Sequence, residues 1–248
     1  MIPSENEWFK DYFNHDYQSW ILETIKEELT LTQIELLEIA LSLQADSKIL
    51  DLFCGIGRHA IALAQKEFDV TAIDLVDTYI NHLQQKSKDL PKLKSICMDA
   101  RDIEYLEAFD AIYLMFTSFG YFSDIENEKM MEKITLALKP RGRVLIDLEN
   151  RDYILQHFIH EKWRNKDEGY LLERHTFNPM NSRQKTRRIW VDKEGNSKSY
   201  TRDLRLYNAH EILNLAEKCQ LKLVYLWGDY HKKPFNVHSP RMIFTFEK

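Results

Sequence analysis

Asp51-Leu52-Phe53-Cys54-Gly55-Ile56-Gly57 places a carboxylate at the end of an apolar run, immediately before a Gly-x-Gly turn. Extended to Gly55-x-Gly57-x-x-Ala60, with Asp74 further on, the stretch satisfies the pattern of a dinucleotide-binding turn. Such a turn receives a pyrophosphate on backbone N–H groups at the positive end of a helix dipole. Asp51 opposes that reading, because a carboxylate at the mouth of the turn repels phosphates. It favours a ligand that brings a cation to the same place.

Outward from this turn the chain alternates between strands and helices. Strands read at 48–53, 69–73, 94–97, 109–115 and 143–148, with helices at 57–66, 77–88 and 124–138 between them. Lys139-Pro140-Arg141-Gly142 reads as a turn that ends the last helix and feeds the fifth strand. This rhythm implies parallel pairing through right-handed crossovers. The fold class expected is α/β, a doubly wound, mostly parallel, Rossmann-like sheet of seven strands. Before it, Trp8 to Glu28 carries aromatics at helical spacing, and Thr32-x-x-Glu35 resembles a capping box opening a further helix.

After the fifth strand the rhythm breaks. Tyr170–Phe177, Lys185–Val191 and Ser199–Leu206 read as extended, joined by Asn178-Pro179-Met180-Asn181 and Asp192-Lys193-Glu194-Gly195-Asn196. A three-stranded antiparallel insert over 170–206 follows. A helix at 208–219 and strands at 222–228 and 241–247 return to the main sheet. The chain thus reads as one domain over 1–248: a helical lid (1–45), a core (46–160), the insert, and a closing segment (207–248).

Three acids, Asp51, Asp74 and Asp99, fall at or just beyond the ends of the first three strands. Open α/β sheets bind ligands along that edge, where the strand order reverses. S-adenosylmethionine (SAM) fits such a trio, since it carries an ammonium, a sulfonium and an adenosine. Asp51 would meet the ammonium, Asp74 the ribose hydroxyls, and Asp99 with the Ala100 backbone the adenine edge. The alternative for each acid is a solvated loop position. The chain has only 7 glycines and places two of them within three residues here, which points to close ligand approach or a tight strand-to-helix turn.

From Lys48 to Glu149 the sequence resembles the class I SAM-dependent methyltransferases. Asp51–Gly57 resembles the family's acidic Gly-rich motif, with Phe53 where many members have glycine. Val70-Thr71-Ala72-Ile73-Asp74, Cys97-Met98-Asp99-Ala100 and Phe109–Phe116 resemble the next three motifs. Leu138-Lys139-Pro140-Arg141-Gly142 resembles the turn before strand five, with Arg141 where glycine is commoner. The resemblance implies cofactor contacts from Asp51, Phe53, Cys54, Gly55, Gly57 and Arg58. On the following strands it implies Asp74, Leu75, Asp99, Ala100, Met115 and Phe116. Within the family the chain looks most like the bacterial small-molecule branch, which includes sugar and amine N-methyltransferases.

For the acceptor, Ser118 and Tyr121 follow the fourth strand and carry polar tips, while Trp8, Tyr12, Phe13 and Tyr17 suit a lid. Arg151, Asp229, His238 and Arg241 are further candidates, with Tyr121 and His238 the groups able to handle a proton. No dedicated base motif is present, which favours nitrogen over oxygen as the atom methylated. Arg183, Lys185, Arg187 and Arg188 form a basic run that an RNA-directed enzyme would use. An NAD(P)-binding oxidoreductase is the other alternative.

Composition narrows the classes. Lysine and arginine number 34 against 39 acids, a net charge of −5, with no overall electrostatic footprint for a nucleic-acid backbone. Cys54, Cys97 and Cys219 lack zinc spacing and suggest a reducing, cytoplasmic setting; no metal is expected. The polar start Met1–Glu7 lacks an apolar signal core, and no apolar run is long enough to span a bilayer. A homodimer formed through the insert is a further expectation.

Overall fold

The first three parallel strands are β1 (Lys48–Leu52), β2 (Asp69–Asp74) and β3 (Leu93–Cys97). They are joined through helices α4 (Arg58–Gln65) and α5 (Asp77–Lys86). Strand β4 (Phe109–Leu114) leads through α6 (Asp124–Ala137) to β5 (Leu138–Glu149). Ile49, Leu50 and Leu52 are fully buried because helices cover both faces of the sheet, which is why β1 reads as an apolar run interrupted only by Asp51. The chain is described here from a computed structural model over residues 7–166 and 169–248. The polar start of the chain, residues 1–6, lies outside the described residues.

Two late strands, β10 (Lys222–Trp227) and β11 (Arg241–Glu247), complete a seven-stranded sheet in the order β10-β11-β5-β4-β1-β2-β3. Strand β11 runs antiparallel to β5, and β10 antiparallel to β11. The order reverses between β1 and β4, so the cleft for a ligand opens at their C-terminal ends. Helix α3 (Glu27–Ala40) packs with α4 on one face; α6 and, beyond the short α7 (Arg151–Gln156), α8 (Ala209–Lys218) pack together on the other.

Several expectations are corrected. The segment 8–28 is not one helix but α1 (Trp8–Tyr12), α2 (His15–Trp20) and a 3-10 turn at Leu22–Thr24. The Asn14 side chain accepts the Tyr17 N–H, which restarts the helix at that point. Thr32 does not cap α3. Its hydroxyl donates to the Glu28 carbonyl one turn back, inside a helix that already began at Glu27. The capping boxes present are Ser123 with Glu126 on α6 and Asn208 with Glu211 on α8.

The insert has four strands, not three: β6 (Glu161–Lys166), β7 (Gly169–Asn178), β8 (Arg183–Asp192) and β9 (Ser197–Arg205). The missed strand β6 pairs with β7 along the sheet edge, and its charged, exposed residues carry no apolar alternation.

Lys139–Gly142 does not precede β5 but is looped out within it. Leu138 pairs with Phe109 and Arg143 with Ala111, so one residue on β4 lies opposite four on β5. Arg141 there has φ +64°, the left-handed region where a side chain costs energy. Arg141 is exposed, so Arg141→Gly should stabilise the protein by about 0.5–1 kcal/mol, the strain relieved exceeding the added chain entropy. A higher urea midpoint at unchanged slope would bear this out; a lower one would refute it.

Candidate active site

At the C-terminal ends of β1, β2 and β4 the structure forms one cavity. Asp51, Phe53, Cys54, Gly55 and Arg58 supply its β1 side. Asp74, Leu75, Asp99 and Ala100 supply the second wall, and Met115, Phe116, Ser118 and Tyr121 the third. Of the expected cofactor set only Gly57 stands back from this surface. It is the left-handed N-cap of α4 with φ +77°, and a Cβ there would lie 2.3 Å from the Leu83 side chain. Gly57 thus permits close packing of α4 on α5.

Asp74 ties the turn together. Its Oδ2 accepts the Gly55 N–H at 2.8 Å and its Oδ1 the Val76 N–H at 3.0 Å. Each oxygen keeps a lone pair for a ligand hydroxyl. Phe53 occupies the place of a glycine with a glycine-like backbone, φ +61°. Its ring turns onto Tyr121, 5.6 Å away and edge to face, leaving the turn's backbone open.

Asp51 is buried with one oxygen, Oδ2, lacking any hydrogen-bond partner among the described residues. Burial pushes its carboxyl up to about 8; the nearby Tyr113 hydroxyl lowers it somewhat, and Asp74 raises it further. The Tyr113 hydroxyl lies close without reaching hydrogen-bond geometry, and has no hydrogen-bond partner among the described residues. Arg58 is held by Thr30 at 3.0 Å and Gln33 at 2.6 Å through Nη1, while its Nη2 is buried without a hydrogen-bond partner among the described residues. An orphaned acceptor and an orphaned cationic donor on one cavity complement the ammonium and carboxylate of an amino-acid tail. The residues present therefore fit SAM.

Asp99 lines the cavity, yet both of its oxygens are occupied. Arg101 reaches Oδ1 at 3.1 Å and Oδ2 at 2.7 Å. Burial would raise this carboxyl, but the Arg101 guanidinium outweighs it and holds it below the usual range. The Asp99 side chain thus organises the loop after β3 around Arg101.

The segment after β4 is the least ordinary backbone in the molecule. Phe116 and Thr117 both have φ +64°. Asp147, fully buried on β5, accepts the Phe116 N–H at 2.9 Å, and its main-chain carbonyl accepts the Thr117 N–H at 3.0 Å. The same carboxylate takes the Tyr230 hydroxyl at 2.9 Å and pairs with Arg241, whose Nη2 reaches the Thr117 hydroxyl at 2.9 Å. This network holds Phe116 at the cavity wall, where Arg58 lies 5.4 Å from its ring centroid.

The acceptor candidates divide. Tyr17, Phe13, Ser118 and Tyr121 line the cavity. Ser118 donates its hydroxyl to the Met115 carbonyl at 2.7 Å. Burial, reinforced by Tyr17, keeps the Tyr121 phenol protonated far above its ordinary range. Trp8 backs Tyr121, donating its indole N–H to the Tyr121 carbonyl at 3.3 Å. Tyr12 lines a smaller hollow behind Tyr17 rather than the cavity itself.

The others point elsewhere. Arg151 contacts Asp152 and Glu211. Asp229 folds its own turn, accepting the His231 and Lys233 N–H groups. His238 is exposed on the loop before β11 and does not line the cavity. Arg241 is committed to Asp147. Residues that sequence reasoning missed on the cavity wall include Phe9, Val76, Tyr79 and Met98. Tyr79 lies on the one apolar face of α5, a signal that was available.

The basic run is not a free patch either. Strand alternation sends Arg188 to the opposite face of β8 from Arg183, Lys185 and Arg187. Arg183 and Lys185 contact Asp203, and Arg188 pairs with Glu173. Among the described residues no group of acids, histidines and cysteines is disposed to hold a metal, and no helix is long and apolar enough to cross a membrane.

Comparison with known proteins agrees with this geometry. Residues 49–142 match a family described as a methyltransferase domain. The putative methyltransferase YqeM of Bacillus subtilis (strain 168) is 26% identical over 216 residues, spanning 85% of this chain and 87% of that protein. Glycine N-methyltransferase of Rattus norvegicus is 26% identical over 123 residues, which cover 44% of this chain and 42% of the relative. Among solved structures, a SAM-dependent methyltransferase from Clostridium acetobutylicum superposes with a TM-score of 0.79 at 20% identity, covering 98% of this chain and 99% of that one. The carboxylate that opens the glycine turn, the sheet order that places the cleft, and these likenesses converge: the chain is a SAM-dependent methyltransferase with the class I fold, and SAM is its methyl donor.

Proposed function

We propose that this enzyme methylates a nitrogen of a small-molecule acceptor. The observation that carries the reading is the chemistry of the wall beyond Phe116. Ser118 is spent on a main-chain carbonyl, Tyr121 is held protonated, and His238 lies outside the cavity. A hydroxyl nucleophile needs a base within hydrogen-bond reach; a neutral amine does not. SAM supplies an electrophilic methyl on a sulfonium. The protein's part is to fix the acceptor nitrogen in line with it and to exclude water, an alignment worth up to about 7–11 kcal/mol. Tyr121 and Tyr17 form the aromatic wall for that alignment. The likeness of 44% of the chain to glycine N-methyltransferase supports nitrogen over oxygen.

In this reading Asp51 holds the SAM ammonium, Arg58 the carboxylate and Asp74 the ribose. Asp74→Ala should weaken SAM binding by about 1–3 kcal/mol, because ligand hydrogen bonds are lost and the Gly55 N–H is released. Calorimetry on the folded variant checks this, and unchanged affinity would remove Asp74 from the ribose. Calorimetry of the parent with SAM and NAD(P)H, followed by a mass screen for methyl addition to amines, hydroxyl compounds and tRNA, tests the function itself. Products methylated only at oxygen, or only on tRNA, would overturn the assignment.

A further inference from the structure

A sheet laid on a protein core normally turns an apolar face inward. The insert does so only in part. Leu171, Trp190 and Leu204 are buried on its inner face, but so are Glu173, Gln184 and Thr186, with Glu173 in register with Arg188 and Thr186 with Arg202. Two cross-strand rows result: Glu173, Arg188 and Tyr200 in one, His175, Thr186 and Arg202 in the next. Glu149, at the end of β5, faces them, with Arg202 Nη2 3.5 Å away.

Four buried polar atoms in this neighbourhood have no hydrogen-bond partner among the described residues: Glu149 Oε2, Arg188 Nη1, Arg202 Nε and the Tyr12 hydroxyl. Arg188 sits 5.4 Å from the Tyr12 ring centroid and 5.8 Å from that of Tyr17. Tyr17 is at once a wall of the SAM cavity and a neighbour of these charges. The ion contacts are also unbalanced. Lys162, Arg164 and Arg188 share Glu173, and Arg202 shares Glu149, so four cations face two carboxylates. Unpaired N–H groups on buried guanidiniums are costly, and the natural complement is an oxyanion taken in forked geometry. Glu149 Oε2, in ion contact with Arg202 Nη2 but in no hydrogen bond among the described residues, can still accept an N–H donor.

We propose that the acceptor is an amine bearing an oxyanion, a carboxylate or phosphate, with the anion bound by Arg188 and Arg202 and the amine turned toward Glu149 beneath Tyr17. This deepens the nitrogen-methylation reading and rests on it. The insert is then the acceptor-recognition element, and the charged rows on its inner face are explained by a ligand.

The test uses the full chain loaded with S-adenosylhomocysteine and compares matched probes by saturation-transfer NMR. The pairs are glycine with glycinamide and ethanolamine phosphate with ethanolamine, which also separate carboxylate from phosphate. The anionic member of at least one pair should bind about tenfold or more tightly than its partner. Arg202→Gln should erase that preference while S-adenosylhomocysteine affinity stays within about twofold. Arg188→Gln removes the shortest of three ion contacts to the buried Glu173, so the double variant Arg188→Gln/Glu173→Gln is made alongside it and should also lose the preference. Equal binding within every pair, no binding of any probe, or a preference surviving in the folded variants would overturn the inference while leaving the methyltransferase intact. Failure of S-adenosylhomocysteine itself to bind would instead sink the methyltransferase reading and this inference with it.

Discussion

Arg241→Met should destabilise the protein by about 3–5 kcal/mol, the range for removing one partner of a buried ion pair. Asp147 has no exposed surface, and Arg241 is its cationic partner. Without the guanidinium the carboxylate keeps the Phe116 N–H and the Tyr230 hydroxyl, yet its charge stays uncompensated in the interior. The Thr117 hydroxyl loses its donor as well. The damage falls on two consecutive residues, Phe116 and Thr117, already in the left-handed region, where a β-branched side chain is strained. For a chain of this size the loss corresponds to a melting point lower by roughly 6–20 °C. Pairing the change with Asp147→Asn should recover part of it, because the neutral amide still accepts the Phe116 N–H and no stranded charge remains. A single variant within about 1 kcal/mol of the parent would show that solvent or another cation compensates Asp147. Arg241 then regains its claim as an acceptor residue.

That network shows where the sequence stops being legible. Arg241 sits among turn formers between two strands, a setting that suggests a ligand contact as readily as a structural one. Its partner lies ninety-four residues away, and only the antiparallel pairing of β11 with β5 joins them. The central parallel strands β1, β4 and β5 were readable because burial on both faces writes them as apolar runs. The three acids were readable because strand ends mark the ligand edge. Strand β6, Glu161-Lys162-Trp163-Arg164-Asn165-Lys166, carries no such mark, since an edge strand is defined by its neighbour's hydrogen bonds. Of the Ser/Thr-x-x-Glu stretches at Thr32 and at Ser123, only the second caps a helix. Thr32 follows a helical turn already formed, whereas Ser123 follows a loop. The charge run 183–188 looked like a surface patch until strand alternation divided it, and that division is what brings Arg188 inside.

Asp51 carries the other large effect, and it is a pH effect. Burial lifts its carboxyl to about 8, so at neutral pH the ligand-free protein holds it mostly protonated. A ligand ammonium needs the carboxylate, so SAM affinity should climb about tenfold per pH unit as pH rises toward 8 and level off above it. Near neutrality, binding should release close to one proton, visible as a calorimetric enthalpy that depends on the buffer's own ionisation heat. Asp51→Asn should abolish both the slope and the proton release, and at alkaline pH should weaken binding by about 1.5–3 kcal/mol through loss of a charge-assisted hydrogen bond. Stability of the ligand-free protein moves the opposite way. The folded value lies above the unfolded one of 3.8, so the fold binds the extra proton between these limits. Asp51's contribution is present in full below the lower value, falls as pH rises through the window, and is gone above the upper one. SAM should reverse that loss, making its thermal stabilisation largest at pH above about 8. An affinity flat with pH and no proton release would mean that Asp51 is already ionised, or does not meet the ammonium, and the electrostatic account of the glycine turn would fall.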